Sequence, residues 1–222
     1  MRPPSLAYRF AAVAALIGWS ALAAQLYLSL RLGVENGRGL FGGLIIYLGY
    51  FTILTNALVA AALTAAAFSS RTGVTAGLVR FFLRPGVNTA IATNIVLVGL
   101  TYSLLLRQVW DPQGLQWITD EVLHDVMPVL FILYWWFAVP TRGLRWSSVY
   151  QWTLYPAGYF VYSIASGELL EWYPYPFFDV GVFGYGRVFL NGAGILAVFI
   201  AIALLLIAIG RLRDRVLLRG SL

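Results

Sequence analysis

The chain has 222 residues, of which 60% are hydrophobic and only 11% are charged, and its mean hydropathy is +0.79. A soluble domain carries about 25% charged residues, so this composition excludes an ordinary water-soluble protein and predicts an integral membrane protein. The net charge of +6 comes from 15 arginines and no lysine, and because these stand at the ends of apolar segments they indicate membrane topology and exclude a nucleic-acid-binding patch.

Six apolar segments have about the 20 residues that a helix needs to cross a bilayer. They cover roughly residues 7–30, 40–68, 87–107, 118–139, 148–166 and 187–210. The start of the first segment resembles a signal peptide, but its apolar run is too long for one, so we interpret it as an uncleaved span. The sequence therefore predicts one all-α domain, residues 1–222, built as a bundle of six transmembrane helices.

Arginines are divided unevenly between the two sides that six spans create. Eleven of the 15 fall on the side of both termini, and four fall on the other side with seven of the nine acidic residues. The eleven are Arg2, Arg9, Arg71, Arg80, Arg84, Arg142, Arg145, Arg211, Arg213, Arg215 and Arg219. Positive charge favours the cytoplasmic side, so we predict a cell-membrane protein with cytoplasmic N- and C-termini. The connector 69–86 lies on that side, and its stretch 78–83 is expected to lie along the membrane interface.

A polar interruption lies within the second apolar segment, at Thr52, Thr55 and Asn56. The spacing of three and four residues puts these side chains on one face of a helix. Hydrocarbon offers polar groups no partner, so this face must meet other polar groups of the protein. One interpretation is hydrogen bonding between packed helices, which is common for threonine and asparagine in membranes. The other is a functional site.

The chain has a single histidine, His124, near the predicted outer end of the fourth segment. Asp120 and Glu121 precede it by four and three residues, so either carboxylate can hold the imidazole ring in place. Pro128 follows one turn later and is expected to open the helix locally. The alternative is a structural histidine that bonds a backbone carbonyl.

Thr52 and His124 are predicted to lie at similar depths. Nine residues separate Gly43 from Thr52, and eight separate Gln116 from His124. At about 1.5 Å per residue, both side chains fall about 12 to 14 Å below the outer interface. The second and fourth spans can therefore present these two side chains to one another.

The residue types present restrict the available chemistry. With one histidine and no cysteine, only an all-carboxylate metal site is possible, and no spacing of acidic residues suggests one. The sequence contains no phosphate-binding glycine loop, no GxSxG elbow and no dinucleotide fingerprint. No metal, cofactor or nucleic acid is therefore predicted, and the sequence does not indicate an oligomeric state.

Several short motifs resemble one known family. They are Tyr50-Phe51-Thr52 with Asn56, His124 with Pro128, and the run 172–177 followed by 184–187. Together with six spans, these motifs are similar to the androgen-induced membrane protein family, which includes the androgen-dependent regulators of tissue factor pathway inhibitor. The segment 172–187 resembles the bacterial relatives of this fold.

The resemblance implies an intramembrane threonine hydrolase of the type that cleaves fatty acid esters of hydroxy fatty acids. Its nucleophile would fall on Thr52 and its base on His124. Thr55 is the neighbour most easily confused with the nucleophile, and it is also a candidate for contact with the substrate. A threonine hydroxyl needs a base to take its proton as it attacks, and histidine is suited to this at neutral pH. Asn56, one turn from Thr52, is a candidate donor to the developing oxyanion. A lipid substrate would enter from the bilayer.

Arg107 and Arg187 close the outer ends of the third and sixth spans. One hypothesis is that either of them pairs with a carboxylate of an acidic lipid substrate. The other is that both simply extend their charged ends to the interface. An alternative function is a transporter or proton-coupled carrier in which His124, Asp125 and Asn56 line a relay, and a third is a non-catalytic membrane protein whose polar face only packs helices.

Overall fold

The computed structural model describes residues 5–68 and 76–219. Within these residues the chain is helical and contains no strand, which confirms the all-α prediction. The helices, in chain order, are α1 (Ser5–Glu35), α2 (Gly39–Gly49), α3 (Phe51–Ala67), α4 (Ala76–Phe82), α5 (Pro85–Thr101), α6 (Leu115–Glu121), α7 (Met127–Ala138), α8 (Ser148–Trp152), α9 (Leu154–Leu170) and α10 (Val180–Arg219). A π-helical turn, Tyr102–Leu106, extends α5; another, Val122–Val126, joins α6 to α7; and a 3₁₀ turn, Pro176–Phe178, precedes α10.

Membrane-length helices confirm the prediction of a membrane protein. Four continuous segments are long and apolar enough to cross a bilayer, namely Leu6–Glu35, Pro85–Leu106, Leu115–Ala138 and Val180–Val216. The bent pair α2 and α3 makes a fifth if the two helices are counted as one span. The described residues therefore hold four or five candidate spans. The predicted number of six and the cytoplasmic placement of the termini stay predictions.

The predicted second span, 40–68, is not one continuous helix. It breaks at Tyr50, whose backbone is extended (φ −87°, ψ 128°), and the axes of α2 and α3 differ by 75°. A break inside a membrane releases backbone groups that hydrocarbon cannot satisfy. The Tyr159 hydroxyl on α9 donates to the carbonyl of Gly49 at 2.7 Å, so a neighbouring helix satisfies the end of α2.

The predicted fifth span, 148–166, is divided into α8 and α9, which meet at Thr153. Helix α9 has 17 residues and is therefore about 26 Å long, slightly less than a hydrocarbon core. The stretch predicted to lie along the interface forms α4, and its Leu78 and Phe81 side chains are exposed. Arg2 and Arg71 of the topology prediction lie outside the described residues, and the side chain of Arg219 is not described either.

The helices enclose one main core. Helix α1 packs along α2 and α3, and α5 lies against α3, α7 and α10. The largest fully buried side chains come from α3, α5, α7 and α10, and include Trp135, Phe131, Phe199, Leu63 and Ile95. This packing places the break before α3 beside the π-helical turn between α6 and α7.

Candidate active site

The break at Tyr50 places Thr52 in the first turn of α3. Backbone N–H groups in the first turn of a helix have no intrahelical carbonyl partner, and they form the positive end of the helix dipole. The N–H of Thr52 donates to the hydroxyl oxygen of Tyr175 at 3.4 Å, and the Thr52 side chain is buried. Thr52 therefore combines a buried hydroxyl with a backbone donor that is not used by its own helix.

His124 lies on the π-helical turn Val122–Val126. Pro128 lacks an N–H, and a proline ring inside a helix crowds the carbonyl four residues earlier, which here belongs to His124. Widening the helix into a π turn relieves this crowding, and such turns are frequent at functional sites. Gly99 of α5 lies against the same carbonyl: a Cβ at this position would be 3.1 Å from the oxygen of His124, so glycine permits the close approach of α5.

A hydrogen-bonded chain connects Thr52, His124 and Asp120. Thr52 Oγ1 lies 3.2 Å from His124 Nε2, so the two side chains meet as the depth estimate predicted. His124 Nδ1 lies 2.9 Å from the backbone oxygen of Asp120 and 3.3 Å from its carboxylate Oδ1. Since both neighbours of Nδ1 are acceptors, Nδ1 carries the hydrogen and Nε2 is the acceptor for the Thr52 hydroxyl.

Glu121 and Asp125 bind Arg107 and do not orient His124. Arg107 Nη1 donates to Glu121 Oε1 at 3.0 Å, and its Nη2 donates to Asp125. The guanidinium also lies 4.7 Å from the centre of the Tyr102 ring. Of the two carboxylates that the sequence left open, Asp120 is therefore the one that holds the imidazole. Arg107 already has two carboxylate partners, so it is not a free receptor for a substrate carboxylate.

The Tyr102 ring holds the other side of the imidazole. It stacks on His124 with a centroid distance of 4.0 Å and an interplanar angle of 15°. Tyr102 belongs to the π-helical turn after α5, so two π turns face one another at this contact. The stacking limits rotation of the His124 ring and keeps Nε2 directed at Thr52.

Thr55 and Asn56 both bond neighbouring parts of the bundle, and neither contacts His124. Thr55 Oγ1 lies 3.1 Å from the hydroxyl of Tyr155 on α9. Asn56 donates both amide hydrogens to backbone carbonyls, of Thr52 at 2.9 Å and of Leu123 at 3.1 Å. The amide is therefore not directed at an oxyanion next to Thr52 Oγ1. It instead joins the start of α3 to the residue that precedes His124.

Arg187 lies apart from this cluster. Its side chain is exposed on α10, and the described residues give it no ion-pair or hydrogen-bond partner. It lines neither of the two cavities that reach Thr52. The structure thus gives no contact between Arg187 and the residues around Thr52 and His124, so the hypothesis that it pairs with a substrate carboxylate stays a prediction.

Tyr175, like Tyr102, is a site residue that the sequence analysis missed. Its hydroxyl oxygen lies 3.3 Å from Thr52 Oγ1, and its ring stacks on Phe177 at 5.2 Å. Burial raises the pKa of Tyr175 to about 12, so the phenol keeps its hydrogen at neutral pH. Because the Thr52 hydroxyl donates to His124, the Tyr175 hydroxyl donates to Thr52 Oγ1. The only signal in the sequence was the aromatic and proline-rich run 172–177, which sequence spacing does not connect to Thr52.

Two cavities meet at Thr52 and His124. Cavity A, about 340 Å³, lies between α3, α5, α9 and α10, and its lining includes Leu97, Phe160 and Leu196. Cavity B, about 510 Å³, lies between α1, α2, α6 and the loop before α10. The described residues that line cavity A include no carboxylate or guanidinium, whereas those of cavity B include Arg31, Glu35 and Asp120.

The comparisons with known proteins do not identify a family, so the class of this protein is described from its fold and its site. No family model, curated protein or solved structure matches the chain. Within the described residues, no group of three or more His, Asp or Glu side chains is arranged to hold a metal ion. The fold and the site define a helical membrane protein with a buried Thr–His–Asp hydrogen-bonded chain between two cavities.

Proposed function

We propose that this protein is an intramembrane hydrolase of lipid esters in which Thr52 is the nucleophile and His124 the general base. The observation that carries the proposal is the 3.2 Å contact between Thr52 Oγ1 and His124 Nε2, with Asp120 at the other ring nitrogen. A nucleophile, a base within hydrogen-bond reach and a third group that orients the base form the arrangement of a covalent hydrolase.

The reaction proceeds in two halves. His124 Nε2 accepts the hydroxyl proton as Thr52 Oγ1 attacks the ester carbonyl carbon, and a tetrahedral intermediate forms. Its collapse breaks the bond to the alcohol, which leaves with the proton from His124, and an acyl-threonine stays on the chain. Water then attacks the acyl carbon while His124 takes its proton, and Thr52 leaves with that proton as the free acid forms.

Tyr175 and the start of α3 stabilise the negative oxygen of the intermediate in this proposal. In the resting site the Thr52 N–H donates to the Tyr175 hydroxyl at 3.4 Å, and that hydroxyl donates to Thr52 Oγ1 at 3.3 Å. Both donors therefore lie beside the nucleophile, and in this proposal they turn to the substrate oxygen when Thr52 Oγ1 bonds the carbonyl carbon. Donors fixed in a site with little water are worth about 10² to 10³ in rate each. Asn56 contributes indirectly, by joining the carbonyl of Thr52 to the turn that carries His124.

The proton-coupled carrier is supported less well. Such a carrier needs polar side chains that line a path through the bundle, and α5 does contain buried Asn88, Thr89, Thr93 and Asn94. However, these side chains donate to carbonyls of α5 or of the residues just before it. Thr89 also accepts a hydrogen bond from the Trp135 indole at 2.9 Å, and none of the four lines either cavity. The substrate implied by the family resemblance, a fatty acid ester of a hydroxy fatty acid, is one ester that the site could cleave.

Double-mutant kinetics tests the proposal. Thr52→Ala and His124→Ala should each lower kcat/KM for a palmitate ester in liposomes by about 10³-fold. Because each group acts through the other, the double variant should be little worse than either single one. Thr55→Ala is the matched control and should be much milder, since Thr55 contacts Tyr155 and not His124. A well-folded Thr52→Ala protein with wild-type turnover would end the proposal.

A further inference from the structure

The two cavities that meet at Thr52 differ in polarity, and an ester has two arms that must lie on either side of its carbonyl. The lining of cavity A is apolar apart from hydroxyl groups and His124, and it runs between α9 and α10. Cavity B carries Gln25, Ser29, Gln116 and Asp120. A long acyl chain gains most by transfer from water or interface into the apolar space, so it occupies cavity A. The alcohol arm then lies in cavity B.

Cavity B extends to the end of α1. Arg31 and Glu35 stand at this end, and their side chains are 61% and 53% exposed. A leaving alcohol can therefore depart into water while the acyl group stays on Thr52. This separates the two products of the first half-reaction and leaves a path for the water that attacks next.

The charges of cavity B disfavour an acidic alcohol arm. The one cation among its described lining residues is Arg31, which pairs with Glu35 at 2.6 Å. The remaining charged group is the buried Asp120 carboxylate, which would repel a second carboxylate. Arg107 is paired with Glu121 and Asp125, and it lines neither cavity. Amide and hydroxyl groups, in contrast, can exchange hydrogen bonds with hydroxyls of a substrate.

Building on the proposed function, we infer that the preferred substrates are long-chain acyl esters of uncharged, hydroxyl-bearing alcohols such as glycerol, with the acyl chain in cavity A. This narrows the substrate class and differs from what the family resemblance implies, because an ester of a hydroxy fatty acid leaves an alcohol that carries a carboxylate.

Three esters with the same palmitoyl chain test the charge of the alcohol arm: monopalmitoylglycerol, the palmitate ester of a hydroxy fatty acid, and the methyl ester of that compound. In the wild-type protein, kcat/KM for the glycerol ester and the methyl ester should exceed that for the acid by about 10-fold. Glu35→Gln removes the partner of Arg31, so it should raise the ratio of acid to methyl ester turnover by about 2- to 5-fold. Glu168→Gln is the control, since Glu168 lines neither cavity and should not change the ratio.

Acyl length tests the assignment of the arms. Ala193 lines cavity A on α10, whereas Ala197, one turn later, is exposed and does not line it. Ala193→Phe should lower kcat/KM for a palmitoyl ester several-fold more than for a butyryl ester of the same alcohol. Ala197→Phe should treat both esters as the wild type does. Sensitivity of Ala193→Phe to the length of the alcohol, with no sensitivity to acyl length, would mean that the arms are reversed.

The outcomes separate the two proposals. The inference about the substrate is overturned if the acid is cleaved faster than its methyl ester, or if all three esters are cleaved equally fast. The proposed hydrolase function stands in either case if this turnover is lost in Thr52→Ala. Turnover that is unchanged in a folded Thr52→Ala variant overturns the hydrolase, and the substrate assignment fails with it.

Discussion

At the scale of single residues, helical spacing predicts which side chains share a face but does not predict which neighbour each of them contacts. Thr52, Thr55 and Asn56 were predicted to share a face, and all three are buried. Yet Thr52 contacts His124, Thr55 contacts Tyr155, and Asn56 bonds backbone carbonyls. The side chains of one helical turn thus bond three different neighbours, because a polar group in a membrane bonds the partner that lies closest to it.

The Tyr175 hydroxyl is expected to act as an oxyanion donor. Tyr175→Phe keeps the ring packing and removes one donor, so kcat for a palmitate ester should fall by about 10²- to 10³-fold with a smaller change in KM. Tyr173→Phe is the matched control, because Tyr173 lies in the same loop and its hydroxyl bonds Glu168 at 2.9 Å instead of Thr52.

The pH profile adds a second readout for Tyr175. Its pKa is raised to about 12 by burial, so the donor keeps its hydrogen through pH 10, where an ordinary tyrosine is half ionised. The activities of the wild type and of Tyr175→Phe should therefore change with pH in the same way near pH 10. Equal kcat values for Tyr175→Phe and Tyr173→Phe would remove Tyr175 from the mechanism.

At the scale of elements, the site lies where regular helices are interrupted. The break between α2 and α3 exposes the N–H of Thr52, and the π turn before α7 carries His124. Both interruptions lie inside apolar segments, where a released backbone group needs a partner. Tyr159, Tyr175 and Asn56 supply such partners, so the side chains that stabilise the interruptions are also those that surround the reacting groups.

Asn56 is expected to position the site by joining α3 to the π turn. Asn56→Ala removes its bonds to the carbonyls of Thr52 and Leu123, so it should lower kcat by about 10-fold and stability by about 1 kcal/mol. Asn94→Ala is the control: this buried side chain bonds only the carbonyl of Ala90 in its own helix, so stability should fall slightly and kcat should stay near wild type. Thermal unfolding in detergent and ester kinetics measure the two effects. Similar kcat losses in both variants would indicate general loosening of the bundle and no special role for Asn56.

Long apolar runs explain why α1, α5, α6 with α7, and α10 were predictable from the sequence. The Tyr50 break was not, because the segment 40–68 contains no proline, and its polar residues have the spacing of one face of a continuous helix. Pro128, in contrast, predicted from the sequence that the helix opens near His124, where the structure has a π-helical turn. Tyr175 lies 123 residues from Thr52, so only the packing of the loop before α10 against α3 identifies it. Asp120 and Glu121 were equivalent by spacing, and Arg107 separates them by binding Glu121.

At the scale of the whole molecule, Thr52, His124 and cavity B lie towards the end of the bundle where α1 ends and α2 begins. The arginine distribution predicts that this end faces away from the cytoplasm and that both termini lie in the cytoplasm. With an outward-facing cavity B, the alcohol product would be released outside the cell.

Accessibility of introduced cysteines tests this orientation without background, because the natural chain has no cysteine. Glu171→Cys, an exposed position at the end of α9, should react with an impermeant thiol reagent in intact cells. Arg215→Cys, exposed near the end of α10, should react only after the membrane is permeabilised. The reverse pattern would invert the topology. Labelling of both positions in intact cells would place both ends of α10 outside the cell, which would mean that α10 does not cross the membrane.

The central claim is that Thr52 forms a covalent bond during catalysis, and the site of a trapped adduct tests it most directly. The purified protein would be treated with an alkyl fluorophosphonate, digested, and analysed by tandem mass spectrometry. We predict a stoichiometric adduct on Thr52, none on Thr55, and loss of the adduct in His124→Ala because the base is missing. An adduct on Thr55 or another hydroxyl, or undiminished modification of a folded Thr52→Ala protein, would contradict the account.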